Sequence, residues 1–399
     1  MSGWKLSRRI AALAPSSTAA AGRKAKALAA SGVDVVDLSI GEPDFPTPDF
    51  VGRAGVRAIE TGKTRYTDVS GEATLRDAIA AKYVREQGAK ASRENVIVTA
   101  GAKQAVFNVC QALFDEGDAV VLFSPYWVSF PEMVRLTGAT PAFAPTEIGD
   151  GWRPTAAALE KHAPPAARGV ILNSPNNPTG SVVDAAELKR IVDWCAARGA
   201  WLVYDETYDR FLYDGRRHAS AAALRARYER IAVTGAASKT WAMTGWRLGW
   251  VLGAPDLVAA IGAYQSHTTS NASSISQAAA LEALTDIEST TSAVAGMLAR
   301  YEARRRLMVD GLSGIRGVRC PDPEGAFYAF ADFSALFERL GVAGSAALCD
   351  RLLAEAHVAA VPGDAFGDDA CVRFSFAADE ARIAEGVRRV ADWAASAGR

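Results

Sequence analysis

A chain of 399 residues is too long for one small core, and at about 150 residues per domain it should hold two or three. Hydrophobic residues make up 49% and charged residues 22%, which excludes extensive disorder. The 44 basic and 45 acidic side chains leave a formal charge of −1, so nothing global points to nucleic acid or an anionic membrane.

Cys110, Cys195, Cys320, Cys349 and Cys371 are an odd number without a close pair, which suits a reducing cytoplasm and supports no disulfide framework. The four histidines are scattered without metal-ligand spacing, and no apolar run approaches the roughly 20 residues of a membrane helix. Before Asp34 the chain is basic and free of acids, with Lys5, Arg8, Arg9, Arg23, Lys24 and Lys26 among many Ala and Ser. Organelle transit peptides share that composition. Because the segment runs unbroken into residues that carry chemistry, the expectation is a basic helix belonging to the folded protein.

From 93 to 255 short apolar runs alternate with amphipathic stretches. Strands are expected at 95–99, 119–123, 169–172, 201–204, 231–234 and 248–252, with helices at 101–114 and 184–198. Asp184 followed by Glu187 suggests a capping box at the second helix. This alternation predicts an α/β domain with a mostly parallel sheet. A long helix at 287–312 and strands at 326–330 and 372–376 predict a smaller α+β unit. In open parallel sheets ligands sit beyond the carboxyl ends of the strands, so those ends are where chemistry is sought.

After the first strand, Gly101-Ala102-Lys103 opens a helix whose amides can face a phosphate, although such turns are more often structural than functional. After the second, Ser124-Pro125-Tyr126-Trp127 offers an aromatic that either stacks on a flat ring or packs in the core. The loop from Asn173 to Gly180 is rich in residues that fix unusual backbone geometry, and an Asn-Pro bond can be cis at modest cost. It is a plain turn or a platform presenting an Asn amide. Asp205 ends an apolar strand, so its charge needs a partner such as a pyridinium nitrogen, unless it is a helix N-cap. Tyr208 lies three residues on. Ser238-Lys239 follows the 231–234 strand, where small and apolar surroundings depress a lysine's pKa and make it a nucleophile toward an aldehyde. Arg247, eight residues later, can grip a phosphate bidentately.

The ordered set of motifs resembles the fold-type I, class I/II aminotransferases that use pyridoxal 5′-phosphate (PLP), and is most similar to bacterial aspartate aminotransferases. The stretches are Val36 to Phe45 (VDLSIGEPDF), Arg65-Tyr66-Thr67-Asp68, Ser124 to Trp127, Asn176-Asn177-Pro178-Thr179-Gly180, Tyr204 to Tyr208, Ser238 to Gly249, and Arg373 to Ala377. The resemblance implies a large, mostly parallel-sheet α/β domain over 49–286, which binds PLP. A smaller α+β domain would comprise the linking helix and C-terminal part over 287–399, with the segment 1–48 contributing to it. It also implies that Lys239 bonds covalently to the cofactor and shuttles a proton, that Asp205 keeps the pyridine nitrogen protonated, and that Tyr208 and Asn177 hold the ring's phenolic oxygen. Trp127 would stack on the ring. Arg247, Ser238 and the turn at Gly101, Ala102 and Lys103 would hold the phosphate, and Arg373, with Gly41 and Asn177 beside it, the substrate's α-carboxylate. Tyr66 would reach the phosphate of a neighbouring subunit, which implies a homodimer.

Three departures bear on specificity. Ala236 lacks the hydroxyl that many relatives direct at the phosphate. No arginine lies between Gln265 and Gln277, where some relatives carry the one that meets a substrate's second carboxylate, which leaves Lys103 as the candidate for that role. Ala14 stands where the resemblance places a lysine in many prephenate-using relatives, which lowers the expectation of prephenate use. The expected reaction moves an amino group, from aspartate first, to a 2-oxo acid such as 2-oxoglutarate. Neutral or aromatic amino acids, and a PLP-dependent carbon–sulfur β-lyase, are the alternatives that share the cofactor residues. A DNA-binding regulator is not expected, since the family motifs begin by residue 36.

Overall fold

Twelve strands carry the architecture in the computed structural model, which describes residues 5–15 and 17–396. In chain order they are β1 (Val36–Asp37), β2 (Val96–Thr99), β3 (Ala119–Ser124), β4 (Thr140–Pro145), β5 (Ala167–Asn173), β6 (Trp201–Asp205), β7 (Ile231–Ala236), β8 (Gly249–Leu252), β9 (Tyr328–Asp332), β10 (Val358–Ala359), β11 (Val361–Pro362) and β12 (Cys371–Ser375). Seven form one sheet in the order β2-β8-β7-β6-β5-β3-β4. Within it β4, β3, β5, β6 and β7 run parallel, while β8 is antiparallel to both β7 and β2.

The inner strands are apolar over most of their length, with polar residues mainly toward their carboxyl ends, because both faces of the sheet are covered. Val96, Val98, Val121, Leu172, Tyr204 and Val233 enter one hydrophobic core, while their neighbours Ile97, Val120, Leu122, Ile171, Val203 and Ala232 enter the core on the opposite face. The period-2 alternation of side chains thus divides one apolar run between two cores.

Several expected boundaries are corrected. β4 was not expected, since its mixed sequence (TPAFAP) makes an edge strand whose residues are largely half-exposed or exposed. The strand expected from residue 326 begins at Tyr328, because Ala326 takes a positive φ of 59° and turns the chain first. At Ala185–Arg198 the Asp184 side chain caps Glu187 N at 2.8 Å, but the capping box is not reciprocal. The Glu187 carboxylate turns to Ala156 N and Arg190 instead.

A further core joins the 27-residue helix Ile287–Ser313, strands β9 and β12 and the helix Glu380–Ser396. Val36 and Leu38 enter that core, and β1 pairs in parallel with β10, so the N-terminal segment folds onto the C-terminal part of the chain. Asp34 adds ion pairs to Arg382 and Arg389. The first four residues of the segment expected over 1–48, its Ser16, and the last three of that expected over 287–399 lie outside the described residues. Among the described residues no helix is long and apolar enough to cross a membrane, and no group of three or more His, Cys, Asp or Glu could hold a metal ion.

One glycine fixes how closely β8 approaches the turn before the helix Ala102–Leu113. A Cβ on Gly249 would lie 2.6 Å from Ala102 N and Gly101 C and 2.9 Å from Gly235 O, all backbone atoms that cannot rotate away. Gly249→Ala is expected to destabilise the protein by about 1–3 kcal/mol through overpacking, read as a lowered urea midpoint in far-UV circular dichroism. An unchanged midpoint would show that the turn yields freely.

Candidate active site

The carboxyl ends of β2, β3, β5, β6 and β7 meet at one edge of the sheet. Register pairs Asn173 with Asp205 and Asp205 with Thr234, aligning the ends of β5, β6 and β7. Because β8 runs the other way, its start lies at that same edge: Gly249 pairs with both Thr99 and Ala236. Arg247, which precedes β8, is thereby brought beside the residues that follow β2 and β7. These ends line a cavity of about 620 Å³ that includes Ala102, Lys103, Trp127, Asn177, Asp205, Tyr208, Ser238, Lys239, Arg247 and Arg373, with Gly41 entering from the N-terminal segment.

Asp205 is buried, and its Oδ1 accepts from Thr207 N (3.0 Å) and Thr207 Oγ1 (2.7 Å). Burial nonetheless pushes its carboxyl up to about 6. Its backbone carbonyl accepts from Asn173 Nδ2 (2.9 Å), and Asn173 Oδ1 accepts from Asn177 N (2.9 Å). Asn177 Oδ1 in turn accepts from Arg373 Nη1 (2.9 Å), and Arg373 Nη2 donates to Ser39 O (2.8 Å). The relay thus ties together two residues with charged side chains, and among the described residues neither Asp205 nor Arg373 has an ion-pair partner within 4.0 Å. Arg373 is only 2% exposed, its Nε finds no acceptor, and burial holds its pKa below the ordinary guanidinium value. The bonds between Ser174 and Pro175 and between Asn177 and Pro178 are cis.

Lys239 Nζ donates to Gly41 O at 2.6 Å. Burial brings its pKa down to about 8, with Arg247, Arg373 and Lys103 adding to the fall and Glu42 opposing it. Tyr208 and Tyr328 share a hydrogen bond between their hydroxyls at 2.8 Å. Burial first, then the Tyr328 neighbour, holds the Tyr208 hydroxyl well above the ordinary tyrosine range, so it stays a donor. Arg373 lies over the Tyr328 ring at 4.4 Å, and a Cβ on Gly41 would sit 3.0 Å from the Tyr328 hydroxyl.

At the other end, Arg247 Nη1 and Nη2 donate to Thr244 O (2.9 Å) and Ala100 O (3.3 Å). Gly101 takes φ +88° and a Cβ there would lie 2.6 Å from the Arg247 guanidinium, so the turn and the arginine together form a cradle only glycine permits. Lys103 Nζ lies 5.1 Å from the centre of the Trp127 ring, and burial, then Arg247, lowers its pKa. Neither Lys103 nor Arg247 meets a carboxylate within 4.0 Å among the described residues.

Two expected features lie apart from this cluster. Tyr66 is 91% exposed and does not line its own chain's cavity. Ala14 lines an adjoining, more apolar cavity of about 710 Å³ that shares Lys103 and Arg247 with the first. Ala236 is buried at the end of β7. Asn173 and Tyr328, which position the others, are not among the residues expected from the sequence. The first stood inside a quoted loop without a role, and the second inside an expected strand. No role is expected from the sequence for Arg23 and Lys26, which line the cavity from the helix Ser17–Ala30.

With this geometry in view, comparison with known proteins is specific. The sequence model of the family "Aminotransferase class I and II" matches residues 33–390. An aspartate aminotransferase of Geobacillus stearothermophilus is 38% identical over 387 residues, 97% of this chain and 98% of its own. An aspartate/prephenate aminotransferase of Thermus thermophilus is 38% identical over 386 residues, 97% of this chain and 98% of its own. The solved structure of the Thermus thermophilus aspartate aminotransferase with maleate superposes with a TM-score of 0.93, at 38% identity, covering 98% of this chain and 99% of that one. The chain belongs to the class I and II aminotransferases, with their fold-type I α/β architecture, and is an amino-acid transaminase.

Proposed function

We propose that the cavity holds pyridoxal 5′-phosphate and that the enzyme moves the amino group of aspartate to a 2-oxo acid such as 2-oxoglutarate. The observation that carries this is the arrangement of unpaired charges: a buried carboxylate without a cation at Asp205, and Arg373, Arg247 and Lys103 without an anion. The two buried charges, Asp205 and Arg373, are costly unless a ligand completes them, and the exposed Lys103 and Arg247 face the same cavity. A ring nitrogen that binds a proton suits Asp205, a phosphate suits the Gly101 cradle with Arg247, and an α-carboxylate suits the donors Arg373 still has free.

The chemistry supplied by the bound cofactor is an aldehyde that takes up an amino group and a protonated ring that draws electrons from the substrate's Cα. The protein's residues do the rest. Asp205 holds the ring-nitrogen proton from a buried position, where the interaction is little screened. Asn177, its Oδ1 occupied by Arg373, keeps its amide nitrogen for the ring's phenolic oxygen, and Tyr208 adds a hydroxyl. Trp127 walls one face of the ring, and Ser238 and the amides at Ala102 and Lys103 complete the phosphate site. Lys239 Nζ is the base, and burial brings its pKa down to about 8, toward the range in which a proton can be both taken and given. Arg373, with Gly41 beside it, would hold the substrate's α-carboxylate at the end of the cavity where Lys239 Nζ lies. We further propose the division into 1–48 with 287–399 and 49–286 as the two domains, a homodimer in which the exposed Tyr66 reaches the partner subunit's phosphate site, and a cytoplasmic location.

Lys239→Ala should lower turnover by at least about a thousandfold, since the anchor and the base vanish together. Borohydride reduction of the unsubstituted enzyme followed by peptide mapping should place the pyridoxyl label on Lys239, and a label on another lysine would overturn the assignment.

Lys103 is proposed to meet the substrate's second carboxylate. Lys103→Ala should cost aspartate about tenfold to a hundredfold in kcat/KM relative to alanine or phenylalanine, the range of a charge-assisted hydrogen bond. An equal loss on all three would assign Lys103 to the phosphate instead.

Mixing Lys239→Ala with Tyr66→Phe subunits should give heterodimers in which one site carries both lesions and the other neither. Activity well above both homodimers is expected. No recovery on mixing would mean that Tyr66 serves its own chain.

A further inference from the structure

The cavity wall that faces away from the sheet is the helix Ser17–Ala30, and it is cationic. Ala19, Gly22, Arg23 and Lys26 line the cavity, a spacing that puts them on one face of a helix. The opposite side anchors the helix: Ala25 is buried, Ala21 packs on the small cluster around Trp152 and Phe330, and Lys24 pairs with Asp350 at 2.5 Å. Lys24 thus has a carboxylate within 4.0 Å, whereas among the described residues Arg23 and Lys26 have none. Among the described residues, none of the acids that line the same cavity lies within 4.0 Å of a basic group of Arg23 or Lys26. Asp37 Oδ1 accepts from Ser39 N (2.9 Å) and Ser39 Oγ (2.6 Å), Glu42 accepts from Thr244 Oγ1 (2.8 Å) and faces Lys239, and Asp205 lies at the far end. Once Arg373 and the Arg247 cradle have their anions, the remaining positive charge is Lys103 on the sheet side and Arg23 with Lys26 on the helix side.

We infer that Arg23 and Lys26 form the helix-side half of the subsite for the substrate's distal carboxylate, so that the N-terminal helix is a specificity element for dicarboxylic substrates. The inference rests on the transaminase reading above. A planar guanidinium with a flexible ammonium one turn away matches a carboxylate that arrives from the open side of the cavity. Both side chains are exposed and close no core, so their replacement leaves the fold unaffected.

The test compares the holoenzyme with Arg23→Gln, Lys26→Gln, the double variant and Arg23→Lys. Maleate, an unreactive dicarboxylate, and propionate are titrated by calorimetry, and kcat/KM is measured for aspartate and alanine. The double variant is expected to lose about tenfold or more in maleate affinity and in kcat/KM for aspartate. Propionate and alanine should change by at most about twofold, and Arg23→Lys should recover part of the loss. The selective loss should persist at 0.5 M salt, where a diffuse field is screened within about 5 Å but a direct contact survives. Equal losses for mono- and dicarboxylates, no loss, or a loss abolished by salt would each overturn the inference. Failure of the transaminase reading is distinguishable, because it would appear as absent turnover of every amino acid by the unsubstituted enzyme, while the maleate titration would still report on the subsite.

Discussion

Burying Asp205 and Arg373 without an ion-pair partner for either is the constraint around which this molecule is organised. Each would be expensive in an apolar core, and the surrounding structure offers hydrogen bonds in place of countercharge. The two Thr207 donors to Asp205 leave its carboxyl at about 6, well above an exposed aspartate, so they do not compensate fully. Arg373 keeps a buried Nε without an acceptor. Side chains held in that condition are preorganised for a ligand, because the cost of stripping them of water has already been met by folding.

The relay Asp205 O–Asn173–Asn177–Arg373–Ser39 O shows how the cost is sustained. It crosses from the end of β6 through the loop after β5 to β12 and on to the segment that follows β1. The two ligand-facing residues are therefore fixed relative to one another by three amide or guanidinium contacts rather than by packing alone, and a fourth ties Arg373 to Ser39. Ser39 and Gly41 take their places because β1 pairs with β10 and Ser375 N bonds to Leu38 O at 2.8 Å. The N-terminal segment is thus part of the site's frame as well as its wall.

Much of this was legible in the sequence, and the reasons are local. An apolar run ended by Asp205, and another followed by Ser238-Lys239, announced both a strand and a charged group at its carboxyl end. What the sequence hid depends on topology or on distant partners. That β8 is antiparallel, which alone puts Arg247 at the same edge as Lys239, leaves no mark in a short apolar run. β4 was hidden because its edge position removes the apolar continuity of its neighbours. Asn173 reaches Asp205 and Tyr328 reaches Tyr208, partners far away in the chain, so no spacing rule finds these contacts. Glu187, by contrast, matched a local rule and was claimed by Ala156 N and Arg190 instead, a tertiary contact overriding a local pattern.

Charge is distributed in the cavity along a gradient of burial, and that gradient separates roles. Arg373 and Asp205, the deepest, cannot be screened or moved, and suit groups common to every substrate and to the cofactor. Lys103 and Arg247 are exposed, each resting on a neighbour (the Trp127 ring, the Ala100 and Thr244 carbonyls) without a countercharge. Arg23 and Lys26 are exposed and ride on a helix fixed from its other face. An exposed cation contributes little to the stability of the fold, so these positions can change at small structural cost. Selection among substrates is expected to act where charge is exposed, and chemistry to be conserved where it is buried.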